Sequence, residues 1–213
     1  MSTPILVMGA TSGIGKAALD EATARGLNVR AFSRSAETLP TQDHVETMAG
    51  DATDEADVAR AVAGCRAVIY ALGVKERLAM LWETETLFSR STGVLIPAMQ
   101  AAGVKRLVAV TGMGAGRSKS ALSAIERAGH WAFLGRPYDD KDRQEAAIMA
   151  SDLDWTIARP TILTNRGKSG RMHVLTKPDT WRMGWVSRAD VAEYLVNAIE
   201  DGLNVQEDVV LTR

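Results

Sequence analysis

The fold is decided near the amino terminus by the stretch Ile5-Leu6-Val7-Met8-Gly9-Ala10-Thr11-Ser12-Gly13-Ile14-Gly15. An apolar run, a glycine-rich turn and the start of a helical pattern follow one another in it. Glycines let a ligand approach the backbone, and the helix directs its free N–H groups and positive dipole end at the turn. The stretch therefore predicts a dinucleotide pyrophosphate site, with an ordinary strand-to-helix connection as the alternative. The expected cofactor contacts are Gly9, Thr11, Ser12, Gly13, Ile14 and Gly15.

The end of the next predicted strand bears on the choice of cofactor. A short strand over 28–32 is followed by Ser33-Arg34-Ser35, and the first acidic residue after it is Glu37. NAD-dependent proteins usually carry an acid here, which binds the ribose hydroxyls. Because a guanidinium offers a fixed fork of donors to phosphate oxygens, Arg34 between Ser33 and Ser35 predicts NADP and a contact with its 2′-phosphate. The alternative is an arginine exposed to solvent.

Two further predicted strands end in residues that suit the same cofactor. The strand over 45–48 precedes Gly50-Asp51-Ala52, and the strand over 67–70 precedes Ala71-Leu72-Gly73. Ligands of open α/β sheets bind outside the carboxyl ends of the strands. Asp51 is therefore predicted to accept from the adenine amino group, with Ala52 beside it and residues 71–73 near the ribose and nicotinamide. Asp51 also suits a turn, while Asp54 fits better as the N-cap of a helix over 54–62.

Strands and helical patterns keep alternating along the rest of the chain. This alternation predicts a Rossmann-like α/β fold, a doubly wound parallel sheet covered on both faces, in a single domain over 1–213. The 213 residues, 46% of them hydrophobic, suffice for one well-cored domain. Helices are predicted over 84–102, where Pro97 would cause a bend, 137–151 and 188–200, and strands over 106–111, 155–158 and 208–212.

Two segments interrupt the alternation and are predicted to form a small substrate lobe. They cover 112–136 and 164–184, and each follows the carboxyl end of a strand, which would place both near the nicotinamide. Aromatic and methionine side chains there suit a planar, partly apolar substrate such as a quinone, flavin or aryl carbonyl compound. Packing within the lobe is the equally weighted alternative. The side chains concerned are Trp131, Phe133, Met172, His173, Trp181, Met183 and Trp185.

Composition narrows the class of partner. The formal net charge of −1 gives no reason to expect nucleic acid, and the basic cluster over 166–171 predicts a solvated or anion-facing loop. One cysteine excludes an internal disulfide, and the three histidines lack metal-ligand spacing. Without a membrane-length apolar run or a signal-peptide pattern, the sequence predicts a cytoplasmic protein with a small-molecule substrate and no metal or membrane partner.

Motifs spread over nearly the whole chain resemble the atypical short-chain dehydrogenase/reductases of the NAD(P)-binding, NmrA-like type, a group that includes biliverdin reductase B-like flavin reductases. The resemblance implies a Rossmann fold and NAD(P) binding, and it is compatible with a homodimer. It leaves the reaction open, because this fold hosts reductases, epimerases and cofactor sensors alike. The matching segments are Gly9–Gly15, Arg34, Gly50-Asp51, Ala71–Gly73, Arg106–Gly112, Asp140–Glu145, Leu153–Pro160 and Val186–Ala192.

The resemblance also points to catalytic residues. Typical short-chain dehydrogenases use a serine and a Tyr-x-x-x-Lys pair, and the nearest match here is Tyr138 with Lys141, one position short of that spacing. Both would share a helix face, so that Lys141 could reach the ribose hydroxyls of the cofactor or the Tyr138 oxygen. Lys141 is the better match because Pro137 places Tyr138 in the first turn. Thr111 stands where the serine is usual, either as a hydroxyl for the reaction or as a residue that only satisfies the strand end.

One more segment completes the predicted site. Arg159-Pro160-Thr161-Ile162 resembles the family segment that contacts the nicotinamide carboxamide, so Pro160 and Ile162 join the cofactor contacts. Together these features favour an NADPH-dependent reductase of a small aromatic, quinonoid or flavin-like substrate. A non-catalytic NADP(H) sensor of NmrA type is the alternative. A sugar-nucleotide epimerase or dehydratase is disfavoured, because only about 50 residues follow Pro160.

Overall fold

A computed structural model describes residues 3–73, 86–122 and 139–213. The predicted alternation of strands and helices is present in them. The strands are β1 (Ile5–Met8), β2 (Val29–Ser33), β3 (Val45–Ala49), β4 (Ala67–Tyr70), β5 (Arg106–Val110), β6 (Asp154–Pro160), β7 (Ile162–Thr164), β8 (His173–Leu175), β9 (Trp185–Ser187) and β10 (Glu207–Thr212). The helices are α1 (Gly13–Ala24), α2 (Glu55–Val62), α3 (Leu87–Ala101), α4 (described over 139–149) and α5 (Arg188–Glu200).

The main sheet has eight strands in the order β3-β2-β1-β4-β5-β6-β10-β8. All neighbours in it are parallel except β8, which is antiparallel to β10. β1, β2 and β3 follow one another toward one edge of the sheet. β4, β5 and β6 follow one another from the other side of β1 toward the opposite edge. The strand order therefore reverses between β1 and β4, where doubly wound sheets bind their ligands. The predicted fold class is confirmed.

Two hydrophobic cores cover the two faces of this sheet. In β1, Ile5 and Val7 belong to the core under α1 and α5, whereas Leu6 and Met8 belong to the core under α2 and α3. Alternate side chains of a strand point to opposite faces, so a strand buried on both faces is apolar throughout. This explains why β1 reads as a continuous apolar run and carries no alternation. No helix among the described residues has both the length and the apolar character needed to cross a bilayer.

Two helix starts are capped by carboxylates, one from a neighbouring residue and one from a distant helix. Asp54 accepts a hydrogen bond from the backbone N–H of Asp57, so it caps α2 as predicted. At α3 the carboxylate comes from α4: Asp140, fully buried, accepts from the N–H groups of Phe88 and Ser89 at 2.8 and 3.3 Å. Buried donors of a helix start need such partners. The contact also holds α4 against α3.

The segment after β6 contains three strands that the sequence did not predict, because three-residue strands are too short to show a period. β7 and β9 form a parallel pair outside the main sheet, with Ile162 opposite Trp185 and Thr164 opposite Ser187. β8 returns to the main sheet beside β10. Much of the other predicted lobe segment lies outside the described residues, among it Trp131 and Phe133.

Candidate functional site

The glycine turn brings β1, β4 and α1 into close contact. A Cβ on Gly9, whose φ is +86°, would lie 2.6 Å from the carbonyl oxygen of Ala71, and a Cβ on Gly15 would lie 2.2 Å from the carbonyl oxygen of Gly9. Gly13, with a φ of +58°, instead has open space where its Cβ would be, and the first turn of α1 contains no acidic residue. The helix start therefore has both the room and the charge that a pyrophosphate requires.

A pair of glycine-to-alanine changes tests this contact. Gly15→Ala is expected to destabilise the protein by about 1–3 kcal/mol, because the new methyl group must displace backbone in the turn. Gly93→Ala is the matched control: this helical glycine is exposed with nothing near its Cβ position, so alanine should stabilise by about 0.5–1 kcal/mol. Urea unfolding measures both changes. Equal shifts for the two variants would contradict the close packing at Gly15.

The end of β2 lies beside the same turn. Ser35 Oγ is 3.3 Å from Thr11 Oγ1, and Arg34 is exposed next to it. Hydrogen bonds from Thr53 hold the pKa of Asp51 below its usual value, with a smaller contribution from the charge of Arg34. Both of those bonds, from the Thr53 backbone N–H and hydroxyl, end on the same Asp51 oxygen, at 2.8 and 2.9 Å. Asp51 thus forms the turn that the sequence left as its alternative role, and Ala52 packs in the core.

The ends of β4, β5 and β6 continue this edge toward the other side of the sheet. The N–H of Ala71 donates to Met8 at 3.0 Å, that of Thr111 to Ala158 at 3.0 Å, and that of Met113 to Pro160 at 3.1 Å. These bonds extend the parallel pairing past the strands and align residues 71–73, 111–113 and 160–162. The structure thus places the predicted cofactor segments along one edge.

Lys141 on α4 reaches this edge from one face of the sheet. Its Nζ donates to the carbonyl oxygen of Thr111 at 3.1 Å and lies 4.1 Å from the ring centroid of Phe88. Burial lowers the pKa of Lys141 to about 8, although the carboxylates of Glu145 and Asp140 act in the opposite direction. A lysine with a pKa near neutral is suited to holding or releasing a proton. Tyr138, the other half of the predicted pair, lies outside the described residues.

Thr111 belongs to a buried charged network that sequence reasoning missed. Its hydroxyl donates to Glu145 Oε1 at 2.6 Å, and Arg159 donates to both oxygens of Glu145 at 2.9 and 2.7 Å. Arg159 also pairs with Asp208 at 2.5 Å, and Arg117 with Asp208. Because the Thr111 hydroxyl donates its hydrogen to Glu145, its remaining hydrogen-bonding capacity is that of an acceptor. The available signal was Arg159 itself, a charge inside the apolar run of β6.

Two aromatic residues predicted to line the substrate site, Trp181 and Trp185, differ in their exposure to solvent. Trp181 is 5% exposed, donates its Nε1–H to Leu175 and stacks near the guanidinium groups of Arg159 and Arg117, at 5.1 and 5.6 Å. Trp185 is 60% exposed and its strand partner Ile162 is 42% exposed. Their neighbours Leu163 and Val186 pack toward the core, so Ile162 and Trp185 face the opposite side of the β7–β9 pair. These two residues form an exposed apolar shelf.

A doubly wound sheet with a glycine turn at the point where strand order reverses defines a dinucleotide-binding Rossmann protein. The sequence pattern of the NAD(P)H-binding family matches residues 9–202. The chain belongs to this family.

Known relatives agree with the resemblance to atypical short-chain dehydrogenase/reductases. ChuY of Escherichia coli, an anaerobillin reductase, is 27% identical with a TM-score of 0.81, and the match covers 99% of this chain and 97% of ChuY. A short-chain dehydrogenase/reductase of Veillonella parvula in complex with NADP shares the fold at 16% identity, a TM-score of 0.82 and coverage of 100% and 95%. A 3-beta-hydroxysteroid dehydrogenase of Mycolicibacterium neoaurum is 32% identical over 111 residues, 49% of this chain and only 30% of that protein. The family and these neighbours support an NAD(P)-binding oxidoreductase.

Proposed function

We propose that the protein is an NADPH-dependent reductase of a planar, conjugated substrate of the aromatic, quinonoid or flavin class, tetrapyrroles included. The observation that carries this proposal is the exposed shelf of Ile162 and Trp185, which begins two residues after Pro160 at the edge where Lys141 and Thr111 meet. The planar indole of Trp185 can stack on the face of a conjugated ring, and the aliphatic side chain of Ile162 extends the apolar surface beside it. The likeness to ChuY, a reductase, supports the same class of reaction.

The roles of the chain's own residues follow from their positions. When bound, the nicotinamide cofactor supplies a hydride to the substrate. The ammonium group of Lys141 binds the ribose hydroxyls and stabilises negative charge that develops on the substrate. Glu145 holds the Thr111 hydroxyl in one orientation, with its lone pairs toward the ligand side. Ile162 and Trp185 position the ring and exclude water from one side of it.

Consumption of NADPH by the purified protein tests the proposal. The loss of reduced-nicotinamide absorbance would be followed with quinones, flavins, biliverdin-like tetrapyrroles and aryl carbonyl compounds, with NADH in parallel. Turnover of one class with a preference for NADPH is the expected result. Tight cofactor binding without consumption across the panel would contradict the reductase and indicate a sensor. Turnover of nucleotide sugars alone would indicate an epimerase or dehydratase.

The preference for NADP is tested at Arg34. Arg34→Ala should raise the Kd of NADPH about 10- to 100-fold, because hydrogen bonds to a charged group contribute about 1.5–3 kcal/mol. The Kd of NADH should change less than about twofold, since NADH lacks the 2′-phosphate. Titration of nicotinamide fluorescence measures both constants, and NADH serves as the internal control. Equal losses for the two cofactors would exclude Arg34 as the phosphate ligand.

A further inference from the structure

A second group of cations faces the start of α1 across a groove. The groove lies between the amino-terminal ends of α1 and α5 and has a volume of about 480 Å³. One wall is the first two turns of α1, and the other is the chain after β7 together with the start of α5. The lining residues that matter here are Gly13, Lys16, Asp20, Asn165, Arg166 and Arg188.

The topology explains why two arginines lie in this groove. β7 and β9 are parallel, with Thr164 opposite Ser187, so the residues that follow each strand emerge at the same end of the pair. Arg166 and Arg188 are those residues, and the Nη1 of Arg188 donates to the side chain of Asn165 at 2.6 Å. Sequence distance separates the two arginines, and strand pairing brings them together.

Side-chain contacts fasten this loop to both helices. Lys168 donates to Glu21 of α1 at 2.9 Å and to Glu193 of α5 at 3.1 Å. The backbone N–H and the hydroxyl of Ser169 donate to Asp190 at 2.7 and 2.8 Å. The loop that carries Arg166 is therefore anchored against both α1 and α5, and Arg166 lines the groove between them.

The residues that line the groove carry a net positive charge. Lys16 pairs with Asp20 at 2.5 Å, which neutralises the only carboxylate among the groove residues named above. Arg166 and Arg188 form no ion pair within residues 3–73, 86–122 and 139–213. Two positive charges thus face the first turn of α1, where Gly13 leaves open space. A doubly charged anion matches that arrangement.

We propose that Arg166 and Arg188 form the second wall of the pyrophosphate site, so that the two phosphates lie between the first turn of α1 and these guanidinium groups. The proposal rests on the binding of a dinucleotide, which the family assignment shows, and not on the reaction. Arg166 and Arg188 then contribute equally to the binding of NADPH and NADH, because both cofactors contain the pyrophosphate. Arg34, in contrast, contacts only the 2′-phosphate of NADPH. It also joins the β7–β9 pair, which bears the apolar shelf, to the bound cofactor.

Equilibrium binding without any substrate tests this assignment. Arg166→Gln and Arg188→Gln should each raise the Kd of both NADPH and NADH about tenfold, with the ratio of the two constants unchanged. The matched control is Arg66→Gln, an exposed arginine just before β4 at the opposite edge of the sheet, which should change either Kd less than about twofold. Circular dichroism and the Tm of each variant verify that the fold is kept. The affinity of the wild-type protein should also fall more steeply with salt than that of the double variant.

Two results would overturn the proposal. Cofactor affinities that stay unchanged in both variants would show that the arginines do not contact the pyrophosphate. Unchanged cofactor affinity with a raised KM for a carboxylated quinone, but not for an uncharged quinone, would assign the groove to a substrate carboxylate instead. Failure of the protein to reduce any substrate would contradict the proposed reductase activity and leave the pyrophosphate assignment intact, because the binding constants are measured without substrate.

Discussion

Lys141→Met should lower kcat about 100- to 1,000-fold and raise the Kd of NADPH by the smaller factor of about tenfold, the share of the ribose contact. The reason is that one preorganised donor at the reacting group typically contributes a factor of this size to the rate. Methionine keeps an apolar chain of similar length against Phe88, so packing is largely preserved. Steady-state kinetics with the best substrate of the panel and cofactor titration measure the two quantities separately.

The pH dependence gives Lys141 a second, independent readout. With a pKa of about 8, the side chain is protonated at lower pH and loses its proton as the pH rises through that value. Since the ammonium form is the donor, kcat should be constant below about pH 7 and fall above about pH 8. The Lys141→Met variant should lack this decline.

A matched control separates the site from a general loss of charge. Lys105 is exposed just before β5, at the amino end of the strand whose carboxyl end Lys141 contacts. Lys105→Met should leave kcat within about twofold of the wild type. A normal kcat in the Lys141→Met variant, or a change only in the Kd of NADPH, would show that Lys141 takes no part in the reaction.

Arg159→Met should lower the free energy of unfolding by about 3–5 kcal/mol at pH 7, the usual cost of removing one partner from a buried ion pair. Arg159 is fully buried and donates to both Glu145 and Asp208, which are also buried. Without it, Glu145 loses the guanidinium that binds both of its oxygens, and Asp208 keeps its ion pair with Arg117. Urea unfolding measures the change. Arg182→Met, an exposed arginine with one long contact to a carbonyl oxygen, is the control and should stay within about 0.5 kcal/mol.

The sign of the pH dependence tests the electrostatic origin of that loss. Despite the opposing effect of burial, Arg117 and Arg159 hold the pKa of Asp208 below its usual value in the folded protein. A carboxyl group whose pKa is lower in the folded state stabilises the fold fully at pH values above its unfolded-state pKa of 3.8. This contribution is lost as the pH falls below 3.8 and through the folded-state pKa. The deficit of Arg159→Met should therefore be similar at pH 8 and pH 5, and smaller at about pH 3, below the unfolded-state value of 3.8. Glu145→Gln combined with Arg159→Met should recover part of it. A deficit independent of pH would indicate lost packing alone.

Much of the candidate site could be predicted because its signals are local. The spacing of Gly9, Gly13 and Gly15 after an apolar run specifies a turn, and the residues after each parallel strand come to one edge whatever the loops do. Asp54 was recognisable as a cap from its neighbours alone. The roles of Arg34, Lys141, Thr111 and the other predicted ligand contacts remain predictions, which the binding and kinetic measurements described above test.

The remaining features arise only when distant segments meet. Glu145, Arg159 and Asp208 come from α4, β6 and β10, and their pairing depends on burial that removes water from all three. Trp181 and Trp185 look alike in sequence, yet the guanidinium groups beside one and the strand pairing of the other make the first buried and the second exposed. Periodicity and backbone preference, which act within a few residues, thus determined the sheet, the glycine turn and the cofactor edge. Long-range charge pairing and the parallel β7–β9 contact, which depend on the folded arrangement, decided the network behind Thr111 and the groove of Arg166 and Arg188.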